Sequence, residues 1–416
     1  MTRAMGPAGG ARGTEVGAAA GAHGPGHGAP HAEDALLEWR REFPTVEATL
    51  HFISHSLGAM PREAEESLRL YAQTWKTRGI RAWEESWMAV PTEVAGLIER
   101  IAGAEAGSVS LHPNVTLAHA TALSALDFAA PRNRLVCTAE DFPSLLYLYQ
   151  GLARRGVEVV VVPAGDGRRI DEQDVIAAID ERTAVVALSQ VLFRTSQLLD
   201  VAPIARRARE AGALTLIDAY QAVGTVPVDV RALEVDLLAG GSVKWLCGGP
   251  GTAYLYVSPR VAARLEPALT GWFAHERPFD FDPGPMRWDA GPRRFLGGTP
   301  SIPSYLAARP GFETVARVGV DAIREKSLRL TARMIAWADE FGWRLGSPRD
   351  DARRGGTVCL DVPEAERVCQ ALLAGDVLLD HRPGVGLRLA PHFYTREDEV
   401  DQVVKRIREE IARAGG

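Results

Sequence analysis

The segment from Leu214 to Val257, LTLIDAYQAVGTVPVDVRALEVDLLAGGSVKWLCGGPGTAYLYV, puts Asp218 at the end of one apolar run and Lys244 just past the next. A lysine amine condenses with an aldehyde to a Schiff base, and a carboxylate against a pyridine nitrogen keeps that nitrogen protonated, so that the ring accepts electrons. Together the two residues suit pyridoxal phosphate as cofactor. Taken singly, Lys244 is equally a solvated loop lysine and Asp218 a turn or cap residue. Gly248, Gly249 and Gly251 follow the lysine and suit a tight backbone turn beside a bulky ligand, or a simple loop.

These residues need a scaffold, and the flanking pattern predicts one. Between Arg134 and Val257 short apolar, β-branched runs (LVCT, VEVVVVP, TAVVALSQ, LTLID, VDLLAGG, AYLYV) alternate with helical stretches after Pro143, from Asp171 and from Asp200. Nearly continuous apolar strands separated by amphipathic helices indicate a mostly parallel sheet covered on both faces, an α/β domain. Ligands in such sheets collect at the carboxyl ends of strands, where Ser189, Asp218 and Lys244 fall. The helical stretch VDAIREKSLRLTARMIAWADEF and the short strands TVCLDV and GLRLAP predict a smaller C-terminal α+β domain. The expected organisation is therefore a disordered tail over 1–33, an N-terminal segment with the large α/β domain over 34–300, and the small domain over 301–416.

The chain has 416 residues, 46% hydrophobic and 24% charged, which is ordinary globular composition with room for a large core. A net charge of −6 offers no basic field for nucleic acid or an anionic membrane surface, so a small-molecule partner is expected. Four cysteines, Cys137, Cys247, Cys359 and Cys369, show no paired metal-ligand spacing and are too few for a disulfide framework, which suits a reducing cytoplasm. No apolar run approaches the roughly 18 to 20 residues of a spanning helix. The Gly/Ala/Pro/His-rich start cannot bury enough surface to order itself, and His23, His27 and His31 within it lack a rigid frame for a metal. The basic run around Arg206 to Arg209 reads as a solvated helix face.

A phosphate needs its own cradle. SLHPNVTLAHATALSALDF turns from a Pro-Asn break into an Ala/Leu-rich helix, so the amides near Asn114, Val115 and Thr116 lie at a positive helix end; an ordinary helix start capped by Asn114 fits the same stretch. Phe142, in EDFPSLLYLYQG, precedes a Pro-initiated helix just past a strand, where its ring either stacks on a planar cofactor or joins the core.

From about His51 to Thr395 the chain resembles kynureninase, within the class V aminotransferase group of fold-type-I pyridoxal phosphate enzymes. The resemblance is carried by SHSLGAMP, GIRAW, DFPS, the GALTLIDAYQAVGTVPVDV to KWLCGGPG block, TGWFAH, FLGGTPSI and LRLAPHFYT. It implies a seven-stranded-type sheet, Lys244 as the Schiff-base lysine, Asp218 as the pyridinium partner and Phe142 as the stacking ring. Ser189, Ser242 and Gln221 would touch the cofactor, and Asn114, Val115 and Thr116 its phosphate. Trp272 and Thr299 would reach the phosphate from the neighbouring subunit of a homodimer whose sites are shared, with TGWFAH crossing between them. Arg388 would hold the α-carboxylate of an amino-acid substrate, a sound match because a guanidinium grips a carboxylate with two parallel hydrogen bonds. Trp83 and Ser56 would line the substrate pocket; Trp83, Trp87 and Tyr71 suit an aromatic substrate or, equally, helix packing.

The departures are local. Val243 stands where kynureninases commonly carry a tyrosine, Gln221 where a histidine is expected, and Tyr220 where a small residue usually lies against the ring. Tyr220 either supplies the displaced acid or fills space. DHRPGVGLRLAP contains no cysteine, which disfavours a desulfurase, and Phe193 and Arg194 replace an asparagine frequent in aminotransferases and desulfurases of the group. The expected reaction is cleavage of an amino-acid side chain, a Cβ–Cγ hydrolase or β-lyase, with Lys244 removing the α-proton. A class V aminotransferase is the alternative, and a catalytically inactive binding protein of the same fold a further one.

Overall fold

A computed structural model describes residues 34–414; the expected tail and His23, His27 and His31 lie outside the described residues. Seven strands form the main sheet: β1 (Val109–His112), β2 (Arg134–Thr138), β3 (Glu158–Val162), β4 (Thr183–Ser189), β5 (Leu214–Asp218), β6 (Leu237–Gly241) and β7 (Ala253–Val257). Their order across the sheet is β1-β7-β6-β5-β4-β2-β3. β3, β2, β4, β5 and β6 run parallel, and β7 is antiparallel to both of its neighbours.

The alternation of side chains along a strand, with its period of two, sorts this sheet into two cores. On one face Val136, Val186, Leu188, Ile217, Leu238 and Tyr254 join a cluster with the helices Val90–Ile101 and Ile302–Val318. On the other, Leu135, Cys137, Val185, Ala187, Leu216 and Ala239 pack with Ala118, Ala122, Leu145 and Tyr149 from the helices Val115–Ser124 and Pro143–Leu152. The result is the helix–sheet–helix architecture expected of a fold-type-I enzyme.

Reversal of β7 has a consequence for position. Gly241 at the end of β6 and His112 at the end of β1 both pair with Ala253, so the carboxyl ends of β1 and β6 reach the same edge of the sheet. In the parallel strands Ser189 pairs with Asp218. The residues that follow β1, β2, β4, β5 and β6 therefore emerge together.

A second sheet of four strands, β8 (Arg344–Leu345), β9 (Val358–Asp361), β10 (Asp380–Arg382) and β11 (Gly386–Leu389), has the order β10-β11-β9-β8 and is wholly antiparallel. Val358, Leu360, Leu387 and Leu389 pack on the helices Val320–Glu340 and Glu397–Ala414. Leu50 and Phe52 enter this core from the other end of the chain, beside the parallel pair Leu50–His51 with Val377–Leu378. In the β10–β11 hairpin Asp380 lies directly across from Arg388. Among the described residues no helix is long and apolar enough to cross a membrane, and all four cysteines are buried and free.

Candidate active site

A cavity of about 730 Å³ opens at the shared strand edge. Its lining includes Ser56, Asn114, Val115, Thr116, Phe142, Ser189, Asp218, Tyr220, Gln221, Lys244 and Arg388, eleven of the residues singled out by sequence.

Asp218 ends β5 and is buried. One carboxylate oxygen accepts the Tyr220 amide at 2.9 Å and the other lies 3.5 Å from the Ser189 hydroxyl. Burial pushes its pKa up, while the Tyr220 amide and the charge of Lys244 oppose that shift. A carboxylate so desolvated gains from a cationic N–H brought against it, which is what a pyridinium ring presents.

Lys244 lies in the turn after β6, and Gly58 fixes that turn from outside. The Gly58 amide donates to the Val243 carbonyl at 2.8 Å, and a Cβ at position 58 would lie 2.1 Å from the Lys244 carbonyl oxygen, so no larger residue fits. The Lys244 amine sits 4.4 Å from the centroid of the Tyr220 ring and 5.5 Å from that of Phe142. Desolvation lowers its pKa to about 8, with Asp218 pulling the other way and Arg388 adding to the fall. An amine there is partly unprotonated near neutral pH and able to act as nucleophile or base.

Phe142 projects from the start of its helix into the cavity, 39% exposed and edge-on to Phe193 at 5.1 Å. The helix Val115–Ser124 begins at the cavity floor. Its cap Asn114 accepts the Leu117 amide at 3.0 Å, and helix geometry leaves the amides of Val115 and Thr116 without intrahelical acceptors. Such a helix end attracts an anion. Asn114 thus fills the cap role that its stretch allowed, while the neighbouring amides remain for a phosphate.

Two further groups shape the walls. Asp141, buried, accepts the amides of Thr138 at 2.7 Å and Ser189 at 2.6 Å, tying the ends of β2 and β4 together; burial raises its pKa to about 6. Arg388 turns its Nε and Nη2 onto Asp380 at 2.8 and 2.5 Å, while Nη1 donates to the Phe193 carbonyl. His55 Nε2 lies 3.0 Å from the same Asp380, and burial, reinforced by Arg388, lowers the His55 pKa to about 4, so that it is neutral at pH 7. Asp141, Asp380, His55, Phe193 and Arg382 escaped the sequence reading as site residues. The signal for Asp380 is its place opposite Arg388 across the Pro-Gly turn.

Gln221 lines the cavity, yet both ends of its amide are spent: Nε2 donates to the His55 carbonyl at 3.0 Å and Oε1 accepts from Trp245 at 2.9 Å. Ser242 is turned away into the glycine turn, its hydroxyl within reach of the Gly249 and Thr252 carbonyls. Trp83 packs edge-on against Trp87, which stacks on Tyr71, and this cluster lies outside the cavity lining. Trp272 and Thr299 are exposed and do not line this chain's cavity; Trp272 instead stacks near Phe281 at 5.6 Å. Their segments adjoin, the Phe273 amide donating to the Gly297 carbonyl at 3.4 Å.

A lysine amine between two aromatic rings, a buried carboxylate on the adjacent strand and free amides at a helix start form a donor set that fits pyridoxal phosphate. Fold and site together define a fold-type-I enzyme. Residues 93–384 match the Aminotransferase class-V family. The kynureninase of Bacillus thuringiensis subsp. konkukian is 32% identical over 390 residues, covering 89% of this chain and 90% of that relative. The kynureninase of Geobacillus thermodenitrificans is 31% identical over 392 residues, covering 90% and 91%. Among solved structures, the apo cysteine desulfurase of Thermococcus onnurineus superposes with a TM-score of 0.80 at 21% identity, covering 90% of this chain and 98% of that one. The cystine C-S lyase C-DES superposes at 0.79 with 20% identity, covering 88% and 98%. These structures share the fold. The chain belongs to the class V aminotransferase family and is a kynureninase-like member of it.

Proposed function

We propose that the protein is a pyridoxal phosphate enzyme that cleaves an α-amino acid within its side chain, by a Cβ–Cγ hydrolysis or β-lyase reaction of kynureninase type. When bound, the cofactor supplies an aldehyde carbon for the substrate amine and a protonated ring that stabilises negative charge at the substrate carbon. Lys244 would anchor the cofactor and, as a free amine, would take the α-proton, a task matched by a pKa near 8. Asp218 would keep the proton on the ring nitrogen. Phe142 would stack on the ring, the Val115 and Thr116 amides would hold the phosphate, and Arg388 belongs to the wall that would receive the substrate carboxylate. Tyr220, its ring beside the Lys244 amine, would be the hydroxyl that returns a proton, and burial raises its pKa so that the phenol stays protonated.

The observation that carries the reading is the Lys244 amine held between Phe142 and Tyr220 in the cavity that also contains Asp218. Desulfuration is not favoured, because none of the four cysteines lines the cavity. The assembly that fits the exposed Trp272 and Thr299 is a homodimer in which each subunit completes the other's site.

The test is incubation of the cofactor-loaded protein with L-kynurenine and 3-hydroxykynurenine, followed by mass analysis. Alanine plus an aromatic acid is the expected product pair. An α-keto acid formed in step with an amino acceptor replaces this reading with transamination, and absence of lysine-bound cofactor absorbance at roughly 410 to 430 nm removes the enzyme reading altogether.

A further inference from the structure

Three consecutive residues after β2 each grip the segment after β4. Glu140 accepts Arg194 Nη1 at 2.9 Å, Asp141 accepts the Ser189 amide at 2.6 Å, and the Phe142 ring meets the Phe193 ring at 5.1 Å. The segment that carries Phe193 is also closed on itself, the Leu192 amide donating to the Gln197 carbonyl at 2.8 Å and the Ser196 amide to the Leu192 carbonyl at 2.9 Å. Arg194 Nη2 reaches the Pro383 carbonyl at 3.3 Å, so the next residue is fastened from two sides.

Phe193 and Arg194 stand where an asparagine is frequent in the group. A hydrocarbon ring has no donor or acceptor, so Phe193 acts on its surroundings by packing alone. It lines the cavity, half-buried, and neither it nor Phe142 belongs to the three hydrophobic clusters of the described residues. The two ring planes stand at 83°, the edge-to-face arrangement that aromatic quadrupoles favour. Whichever ring supplies the edge, at least one face of Phe142 stays free of Phe193. Phe142 is 39% exposed at a helix start, a setting in which several staggered rotamers compete unless a neighbour selects one.

We propose that Phe193 is a positioning residue that fixes Phe142 in the orientation for stacking on the cofactor ring, with the Glu140–Arg194 pair fastening the segment that carries it. This rests on the cofactor reading above. Arg388 meets Phe193 at its backbone carbonyl, which every side-chain variant retains.

The experiment titrates pyridoxal phosphate into the full chain freed of cofactor, as wild type, Phe193→Ala, Phe193→Tyr, Phe142→Ala and the double variant Phe142→Ala/Phe193→Ala. Dissociation constants are read from the lysine-bound absorbance, and visible circular dichroism reports how rigidly the bound ring is held. Loss of one aromatic pair weakens cofactor binding by about 3- to 10-fold in Phe193→Ala and diminishes the dichroism. Phe193→Tyr, which keeps the ring, stays within about twofold of wild type. On the Phe142→Ala background the same Phe193→Ala change has no further effect beyond about twofold, because the residue it acts through is gone. An equal loss on both backgrounds overturns the proposal, and so does an unchanged constant in Phe193→Ala, with or without a lower melting temperature. Phe193→Leu, which keeps most of the volume without the ring, takes the place of an alanine variant that does not fold. A wild-type protein that takes up no pyridoxal phosphate refutes the underlying cofactor reading, a result distinct from either of these.

Discussion

Substituting Gly241 by alanine tests how Tyr220 is held beside Lys244. Gly241 is the last residue of β6, and a Cβ built on it would lie 2.5 Å from Cε2, Cζ and the hydroxyl oxygen of Tyr220. Ordinary carbon contacts begin near 3.5 Å, so the ring must retreat by roughly 1 Å. One way out is toward the Lys244 amine, which lies only 4.4 Å from the ring centroid. Overpacking of this kind costs about 1 to 3 kcal/mol. Gly241→Ala is therefore expected to lower the melting temperature and to weaken cofactor uptake, because both the ring and the amine it supports are displaced. Tyr220→Ala removes the obstructing ring, so in the double variant the alanine at 241 meets open space. The predicted coupling between the two sites is about 1 to 3 kcal/mol in the rescuing direction, measured by a double-mutant cycle on stability. Additivity within about 0.5 kcal/mol refutes the placement of the Tyr220 ring over Gly241.

Three other outcomes follow from the same geometry. Lys244→Ala should fold, since the side chain reaches into a cavity and not a packed core, yet lose turnover by about 10³-fold or more; a variant retaining more than a tenth of the activity removes Lys244 from the chemistry. In the wild type the initial rate of cofactor uptake rises with pH through about 8, as the amine loses its proton. Stability has the acid limb of buried neutral imidazoles: burial lowers His51, His55 and His112 to about 4, and His119 and His392 to about 3. In each case the unfolded state binds the proton more readily, so the contribution is fully present above the unfolded value near 6.5 and is lost as pH falls toward 4. Thermal denaturation across that window should show a steep fall; a flat profile between pH 6.5 and 4 contradicts the burial of these rings in neutral form.

The central sheet was legible because buried parallel strands read as continuous apolar runs. TAVVALS, LTLID and LLAGG are buried at every position and bounded by turn residues. Edge strand β1 was not legible, for a physical reason. Two of its four residues are polar, and their side chains satisfy each other, Ser110 bonding His112 at 3.0 Å, so VSLH carries no apolar signature. The helix-start cradle and the Asp218–Lys244 pair could be read because each depends on local chain direction at the end of a strand. Ser242 shows the limit of proximity in sequence. It stands two residues before Lys244, yet its hydroxyl points into the Gly249–Thr252 turn, because the chain reverses there and sends neighbouring side chains in different directions. The opposite holds for His55, 325 positions from Asp380 and joined to it only by folding. Such a contact leaves no periodicity or spacing to detect. For the same reason an arginine recognised by motif, Arg388, proves to be held by a partner that the motif does not specify, Asp380.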